Sequence, residues 1–271
     1  MKLTEILKRM FLERCCVICT EPTSYDFPDP ICRFCDKSWK EFLKIKCRNC
    51  GREIGRCTCL PRLVRKVNHS IACWCVFYDA GANGDVSTLF TNLKTFYDRE
   101  LISMCAERMK KSLLSVASQR NINLKEYVVT FAPRRKRNVR KYGFDQSEKL
   151  SKALGKMLGI PSIKTLENLA KREQKGLNKT DRLKNATTNY EYIEGSLGEY
   201  KKVILVDDIM TSGATFYACA FQLYSNGATE VIPVAFAKDN HISKGDRNNV
   251  KRNSKYNFTG AVKSFVRNGS Q

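Results

Sequence analysis

The sequence predicts an α/β fold, a parallel sheet flanked by helices, preceded by a small N-terminal Cys-rich module. Three observations carry this expectation. First, Lys202-Val-Ile-Leu-Val-Asp-Asp208 sets an apolar run against two carboxylates, and a Thr211-Ser-Gly-Ala-Thr215 turn follows. An apolar run of that length, bounded by a turn, reads as a strand buried on both faces of a parallel sheet. Second, Phe216, Cys219, Ala220 and Leu223 recur at helical spacing, and Asn226-Gly227 then leads into the apolar run Val231-Ile-Pro-Val-Ala-Phe-Ala237. Strand, helix and strand joined by a short glycine turn make a parallel βαβ crossover. Third, nine of the 13 cysteines lie between Cys15 and Cys59.

The 271 residues suffice for one large domain and a small one. We expect a Cys-rich module over 1–62, the α/β domain over 63–240 and a basic, mostly disordered tail over 241–271. An apolar content of 42% suits a globular protein. The formal charge of +21 points to polyanion partners such as nucleic acid, nucleotides or pyrophosphate, against the plainer alternative of a merely Lys-rich surface. Residues 1–13 are short, amphipathic and charged throughout, and nothing resembles a signal peptide. No apolar run approaches the ~20 residues of a membrane span, so the cytoplasm is the expected location.

Clustered cysteines in a reducing compartment argue for metal rather than disulfides. Cys16-x-x-Cys19 and Cys32-x-x-Cys35 are two knuckles separated by twelve residues, the spacing of a four-cysteine zinc site. Cys47-x-x-Cys50-Gly51 is a third knuckle, and Cys57-x-Cys59 can close a second site. Cys15 is a bystander or a substitute for Cys16. Four thiolates leave no position for water, so such zinc is structural, supplying folding energy that a short segment cannot draw from apolar burial. Reduced cysteines in a loop are the alternative.

Residues 61–70 are basic without clear periodicity and read as a linker. A strand is expected over 71–78, which makes Cys73 and Cys75 core residues, and helices over 86–96 and 100–116. Lys94 ends the first helix, where lysine is ordinarily a solvated C-terminal charge. The next strand, 127–132, delivers the chain into Arg134-Arg-Lys-Arg-Asn-Val-Arg-Lys141, six basic side chains in eight residues. That run is either a pocket for a polyanion such as pyrophosphate or a solvated basic loop. Asp145 and Glu148 have capping-box spacing at the start of a further helix. The polar, basic segment 170–185 suits a mobile loop closing over a charged ligand. A short strand is expected over 190–193 and a turn over 195–198.

The stretch from Lys202 to Thr215 brings these elements to a chemistry. A strand, a small-residue loop and a helix N-terminus form an anion site, where backbone N–H groups and the helix dipole favour a phosphate. Two carboxylates beside that cradle repel phosphate unless they face sugar hydroxyls or a metal; an acidic turn closing the βαβ unit is the alternative. Four apolar residues, Asp-Asp, two variable residues and Thr-Ser-Gly-Ala-Thr resemble the phosphoribosyl pyrophosphate (PRPP) motif of type I phosphoribosyltransferases. The resemblance implies that Asp207 and Asp208, as the catalytic pair, hold the ribose 2′- and 3′-hydroxyls. It implies that Thr211, Ser212, Gly213, Ala214 and Thr215 hold the 5′-phosphate.

The cysteine knuckles, Ala132-Pro133 with its basic run, the Tyr142-Gly-Phe-Asp-Gln146 stretch, the Arg172-x-Gln-Lys-x-Leu177 loop and the PRPP motif occur in one order. Over roughly residues 15–238 that order resembles the ComF family (ComFC/GntX-like proteins), which couples a zinc ribbon to a phosphoribosyltransferase-like domain. The resemblance implies Mg²⁺-dependent transfer of a phosphoribosyl group to an unknown acceptor, with Lys94, Arg137, Arg140, Arg172 and Lys175 on the pyrophosphate. It associates the chain with DNA uptake or nucleotide salvage, and a non-catalytic PRPP sensor or adaptor for single-stranded DNA or DNA-processing proteins is the alternative. Tyr142 stands where the family carries Arg and Asp145 where it carries Asn, exchanges that weaken a pyrophosphate contact. No aromatic residues interleave the basic run as a stacking platform for nucleic acid requires. His69 and His241 lie in polar segments and carry no expected role.

Overall fold

The structure is a computed structural model that describes residues 14–23, 30–68, 71–78, 86–169 and 189–240. The tail expected over 241–271, the segment 1–13 and the whole of the loop expected over 170–185 lie outside the described residues.

Four parallel strands form the central sheet in the order β3-β8-β7-β4: β3 (Cys73–Tyr78), β4 (Tyr127–Phe131), β7 (Lys202–Met210) and β8 (Glu230–Asp239). Both faces are covered. Along β7, Val203 and Leu205 pack with Phe216, Cys219 and Leu223 of α7 (Ala214–Ser225) and with Val64 and Val67 of α2 (Arg62–Val67). The alternate residues Ile204 and Val206 pack on the other side, with Leu101, Cys105, Met109 and Leu113 of α4 (Arg99–Arg120) and Leu150 and Leu154 of α6 (Gln146–Leu158). The side-chain period of 2 divides one continuous apolar run between two layers of helices. The expected fold class, a parallel sheet flanked by helices with an N-terminal Cys-rich module, is the one observed. Among the described residues no helix is long and apolar enough to cross a membrane.

Three local expectations need correction. Residues 62–67 are helical rather than irregular, with Val64 and Val67 buried at i, i+3 against α7. Three apolar residues in six, Leu63, Val64 and Val67, span too short a stretch for periodicity to declare. The basic run after β4 is likewise helical, as α5 (Lys136–Tyr142), and Gly143 ends it at φ 79°. Finally, β7 does not stop at the carboxylates; it pairs with β8 through Met210↔Lys238.

The Cys-rich segment packs on the domain. A short hairpin of β1 (Arg14–Cys15) and β2 (Pro22–Thr23) carries the first knuckle, and α1 (Arg33–Leu43) begins inside the second, with Cys32 as its N-cap and Cys35 in its first turn. Phe42 of α1 meets Phe90 of α3 (Val86–Thr95) edge-on with ring centroids 6.2 Å apart, and Phe90 meets Phe236 of β8 at 5.8 Å. Asn92 donates to the Val17 carbonyl at 3.0 Å. These contacts join residues far apart in sequence and carry no local signal.

Candidate functional site

Because the four strands run parallel, their carboxyl ends meet along one edge of the sheet, the side on which open α/β sheets bind ligands. Asp207 and Asp208 lie near that end of β7, and the start of α6 faces them. Asp207 Oδ1 accepts from Ser147 Oγ at 3.0 Å and from the Asp208 N–H at 2.9 Å. Asp208 Oδ2 accepts from Gln146 Nε2 at 3.1 Å, and Lys94 Nζ stands 3.7 Å from the same oxygen. Burial, then the neighbouring Asp208 charge, push the Asp207 carboxyl well above the usual carboxylate range. Gln146 Oε1 is buried with no hydrogen-bond partner among the described residues. A buried acceptor left open beside two carboxylates suits a ligand rich in hydroxyl donors.

Asp145 holds this arrangement together. Its Oδ1 caps α6 by accepting from the Ser147 and Glu148 N–H groups, and its Oδ2 accepts from the Arg134 N–H at 2.6 Å. Both oxygens are therefore occupied by backbone, and burial still raises its pKa because the three N–H groups offset only part of that effect. Glu148 does not close a capping box among the described contacts; it pairs with Lys152 at 2.6 Å. Arg134 Nη1 donates to the Lys94 carbonyl at 2.8 Å, and its guanidinium stacks 4.5 Å from the Tyr142 ring centre. A bond of that kind ties the end of α3 to the start of the basic segment.

The loop after β7 leaves Thr211 and Ser212 exposed and enters α7 at Gly213. Gly213 has φ 80° and no capping side chain, so N–H groups of the first turn of α7 are open to an anion apart from that of Ala214, which donates to Ser212 Oγ at 3.4 Å. A Cβ here would lie 2.4 Å from Val64 Cγ2 and 2.9 Å from the Val64 backbone nitrogen. Gly213→Ala therefore combines left-handed strain with a clash against the backbone of α2, and we expect a loss of about 2–5 kcal/mol. Thermal denaturation measures the loss. A double-mutant cycle with Val64→Ala should recover part of it, because only the Cγ2 contact is relieved; additive effects would remove α2 from the explanation.

Of the residues expected at the site, Asp207, Asp208, Lys94 and the loop 211–215 share this edge. Arg137 and Arg140 sit exposed on α5. Arg172 and Lys175 lie outside the described residues. Ser147, Gln146 as a partner of Asp208, Arg134 and Tyr190 were not expected in these contacts. Tyr190, in β6 (Tyr190–Tyr192) beside β5 (Leu166–Asn168), stands near Thr215 and Asp207; burial raises its phenol pKa. The Asp145-x-x-Glu148 spacing did mark where α6 starts, but not what its first turn touches.

The cysteines form two groups, Cys16, Cys19, Cys32 and Cys35, and Cys47, Cys50, Cys57 and Cys59, with all sulfurs of a group within 4.8 Å of one another. Tetrahedral ligands about 2.3 Å from zinc lie roughly 3.8 Å apart. Cys19 and Cys32 sulfurs are 3.7 Å apart, as are those of Cys50 and Cys57, so the donor sets fit. The first and third knuckles turn through a left-handed residue, Thr20 at φ 65° and Gly51 at φ 67°, whose N–H returns to the carbonyl of Cys16 and Cys47 respectively. Backbone N–H groups also point at sulfur, from Ile18 to Cys16, Cys35 to Cys32 and Cys59 to Cys57, each at 3.4 Å. The short Cys57-x-Cys59 pair thus closes a four-sulfur group. Cys15 is exposed and stands apart, while Cys73, Cys75, Cys105 and Cys219 are buried in the core, where burial pushes the Cys73 thiol up to about 12.

The chain matches no protein-family model and no curated protein. Among solved structures it is similar to one described as the structure of the allosteric regulatory enzyme of purine biosynthesis, with 18% identity and a TM-score of 0.35. The similarity covers 54% of this chain and 29% of that one, so the chain spans under a third of the length of the structure it matches.

Proposed function

We propose that the chain binds PRPP at the carboxyl edge of β7 and transfers its phosphoribosyl group to an acceptor, as its resemblance to the ComF family implies. One observation carries the reading: two adjacent buried carboxylates run directly into an uncapped helix N-terminus entered through glycine. Carboxylates take hydroxyl donors and refuse phosphate, whereas helix N-terminal N–H groups take phosphate. A sugar phosphate satisfies both at once. Asp207 and Asp208 take the ribose 2′- and 3′-hydroxyls, residues 211–215 take the 5′-phosphate, and Lys94, Arg137, Arg140, Arg172 and Lys175 take the pyrophosphate.

The reaction displaces pyrophosphate from the ribose C1 and passes through an oxocarbenium-like state, so positioning and charge stabilisation dominate. Mg²⁺, when bound, neutralises pyrophosphate and ribose oxygens. The chain's own part is to fix the sugar through the carboxylate pair and to balance departing charge through Lys94 and the basic side chains. Asp145, with both oxygens engaged by backbone N–H groups, serves as the cap of α6 in this reading and offers the pyrophosphate no amide donor. Zinc in the two four-cysteine groups is structural, since each donor set is complete without water.

Calorimetric titration with PRPP and Mg²⁺, followed by an assay for pyrophosphate release with nitrogenous bases, tests the reading. Binding with acceptor-dependent release supports it, and the absence of binding overturns it. Binding without release favours a second reading, a PRPP-sensing adaptor that engages single-stranded DNA. What favours that reading is a group of aromatics interleaved with cations in space rather than in sequence. Phe96 and Tyr97 are 65% and 56% exposed just beyond Lys94, and Lys149 lies 5.0 Å from the Tyr97 ring centre. Affinity for an oligothymidylate that does not weaken with salt would eliminate it.

A further inference from the structure

Among the described residues, Lys238 is the one lysine or arginine that is buried, at 5% exposure. It has no carboxylate partner there. Its Nζ lies 5.0 Å from the ring centre of Trp74 and 5.6 Å from that of Phe77, and those two rings form one buried cluster with Cys47 and Cys57. A buried ammonium needs a compensating charge, and aromatic faces supply only a fraction of it. A dication held by four thiolates carries a net charge of 2−, which is the missing partner. The strand carrying Lys238 is also clamped to the same knuckle: Asn240 accepts from the Arg48 N–H at 3.0 Å and donates to the Lys46 carbonyl at 3.0 Å.

Across the sheet, Lys238 is the register partner of Met210, the residue immediately before Thr211. We propose that Lys238 is the counter-charge of the centre formed by Cys47, Cys50, Cys57 and Cys59, and that metal bound there fixes the sheet edge from which the loop 211–215 departs. The inference rests on zinc as the occupant of that centre, as proposed above. It separates the two cysteine groups, because no buried cation stands beside Cys16, Cys19, Cys32 and Cys35 among the described residues. The first centre holds the N-terminal hairpin and α1, whereas the second belongs to the ligand-binding edge. Lys238 is a positioning residue in this scheme, acting on the ligand only through the metal centre and β7.

The test follows zinc release from the full chain to a chromogenic chelator for the wild type, Lys238→Gln and Lys238→Arg. Loss of an outer partner ordinarily weakens metal binding about 10- to 100-fold. We expect Lys238→Gln to release one of two zinc ions roughly that much more readily while the other leaves at the wild-type rate, and Lys238→Arg to restore retention. PRPP affinity of the Gln variant should fall and recover on adding zinc, a rescue that simple loss of packing would not give. Wild-type release of both ions from Lys238→Gln would overturn the role of Lys238, whereas a wild type holding no zinc would overturn the zinc reading itself. Should Lys238→Gln fail to fold, hydrogen exchange of the wild type with and without chelator decides. Loss of protection in the peptides covering 237–240 and 210–215 supports the coupling, and unchanged protection there overturns it.

Discussion

Replacing Asp207 and Asp208 together by asparagine abolishes PRPP binding while making the free protein more stable. Each carboxylate is expected to accept a hydrogen bond from a ribose hydroxyl, and such charge-assisted bonds contribute about 1.5–3 kcal/mol. Losing two costs roughly 3–6 kcal/mol, or about a hundred- to ten-thousand-fold in Kd. The gain in stability has a separate origin. Asp207 has a native pKa above its unfolded value, so between those two values the native state binds more protons and stability falls as pH rises. At neutral pH its ionised form is a liability, kept beside Asp208 with Ser147 Oγ and one N–H for support. An asparagine Oδ1 can keep those bonds without the charge. We expect a gain of about 0.5–2 kcal/mol at pH 7, shrinking as the pH falls through the native pKa towards 4. Calorimetry with PRPP and Mg²⁺ reads the first effect and melting curves across pH read the second. Unchanged binding would remove the pair from the ribose, and a less stable double variant would mean that the two carboxylates are held by partners beyond those seen.

What could be read without coordinates is what is written locally. Strand β7, the turn, α7 and β8 follow one another within forty residues, each marked by its own period, so their parallel pairing was legible. The knuckles are legible for the same reason, and even the Cys57-x-Cys59 pair, a poor motif by spacing, joins its group. Helices α2 and α5 are not legible because each spans under two turns, with three apolar residues in the one and almost none in the other. The neighbours of Asp207 and Asp208 were missed for a different reason. Ser147 and Gln146 stand some sixty residues away in sequence, and only the packing of α6 against β4 and β7 brings them to the carboxylates. Lys94 carried a resemblance but no local signal, and its 3.7 Å approach to Asp208 depends on α3 being anchored by Phe90 and Asn92. The departures at Tyr142 and Asp145 change meaning once their contacts are visible, since one is a stacking surface for Arg134 and the other a cap.

Stripping zinc with a strong chelator under reducing conditions should unfold the segment 14–59 and disturb the ligand site with it. Apart from cysteine, the apolar centre of the first module is Val17, Ile18, Ile31, Trp39 and Phe42, too little to offset the ordering entropy of a segment with one regular helix. Zinc bound by small four-ligand modules contributes on the order of 10–16 kcal/mol to folding, more than the net stability of most domains. Its loss should therefore melt α1 outright rather than loosen it. Phe42 would leave Phe90, and with Asn92 released from the Val17 carbonyl, α3 would lose its outer cover. Lys94 is carried by that helix, so PRPP affinity should drop even though no side chain proposed to touch the ligand binds zinc. Limited proteolysis should find new cuts within 30–59, circular dichroism should lose helix signal, and zinc but not Mg²⁺ should restore both. An intact segment after complete metal removal would mean that packing alone holds the eight sulfurs together. The paired 3.7 Å separations would then be a consequence of the fold and not its cause.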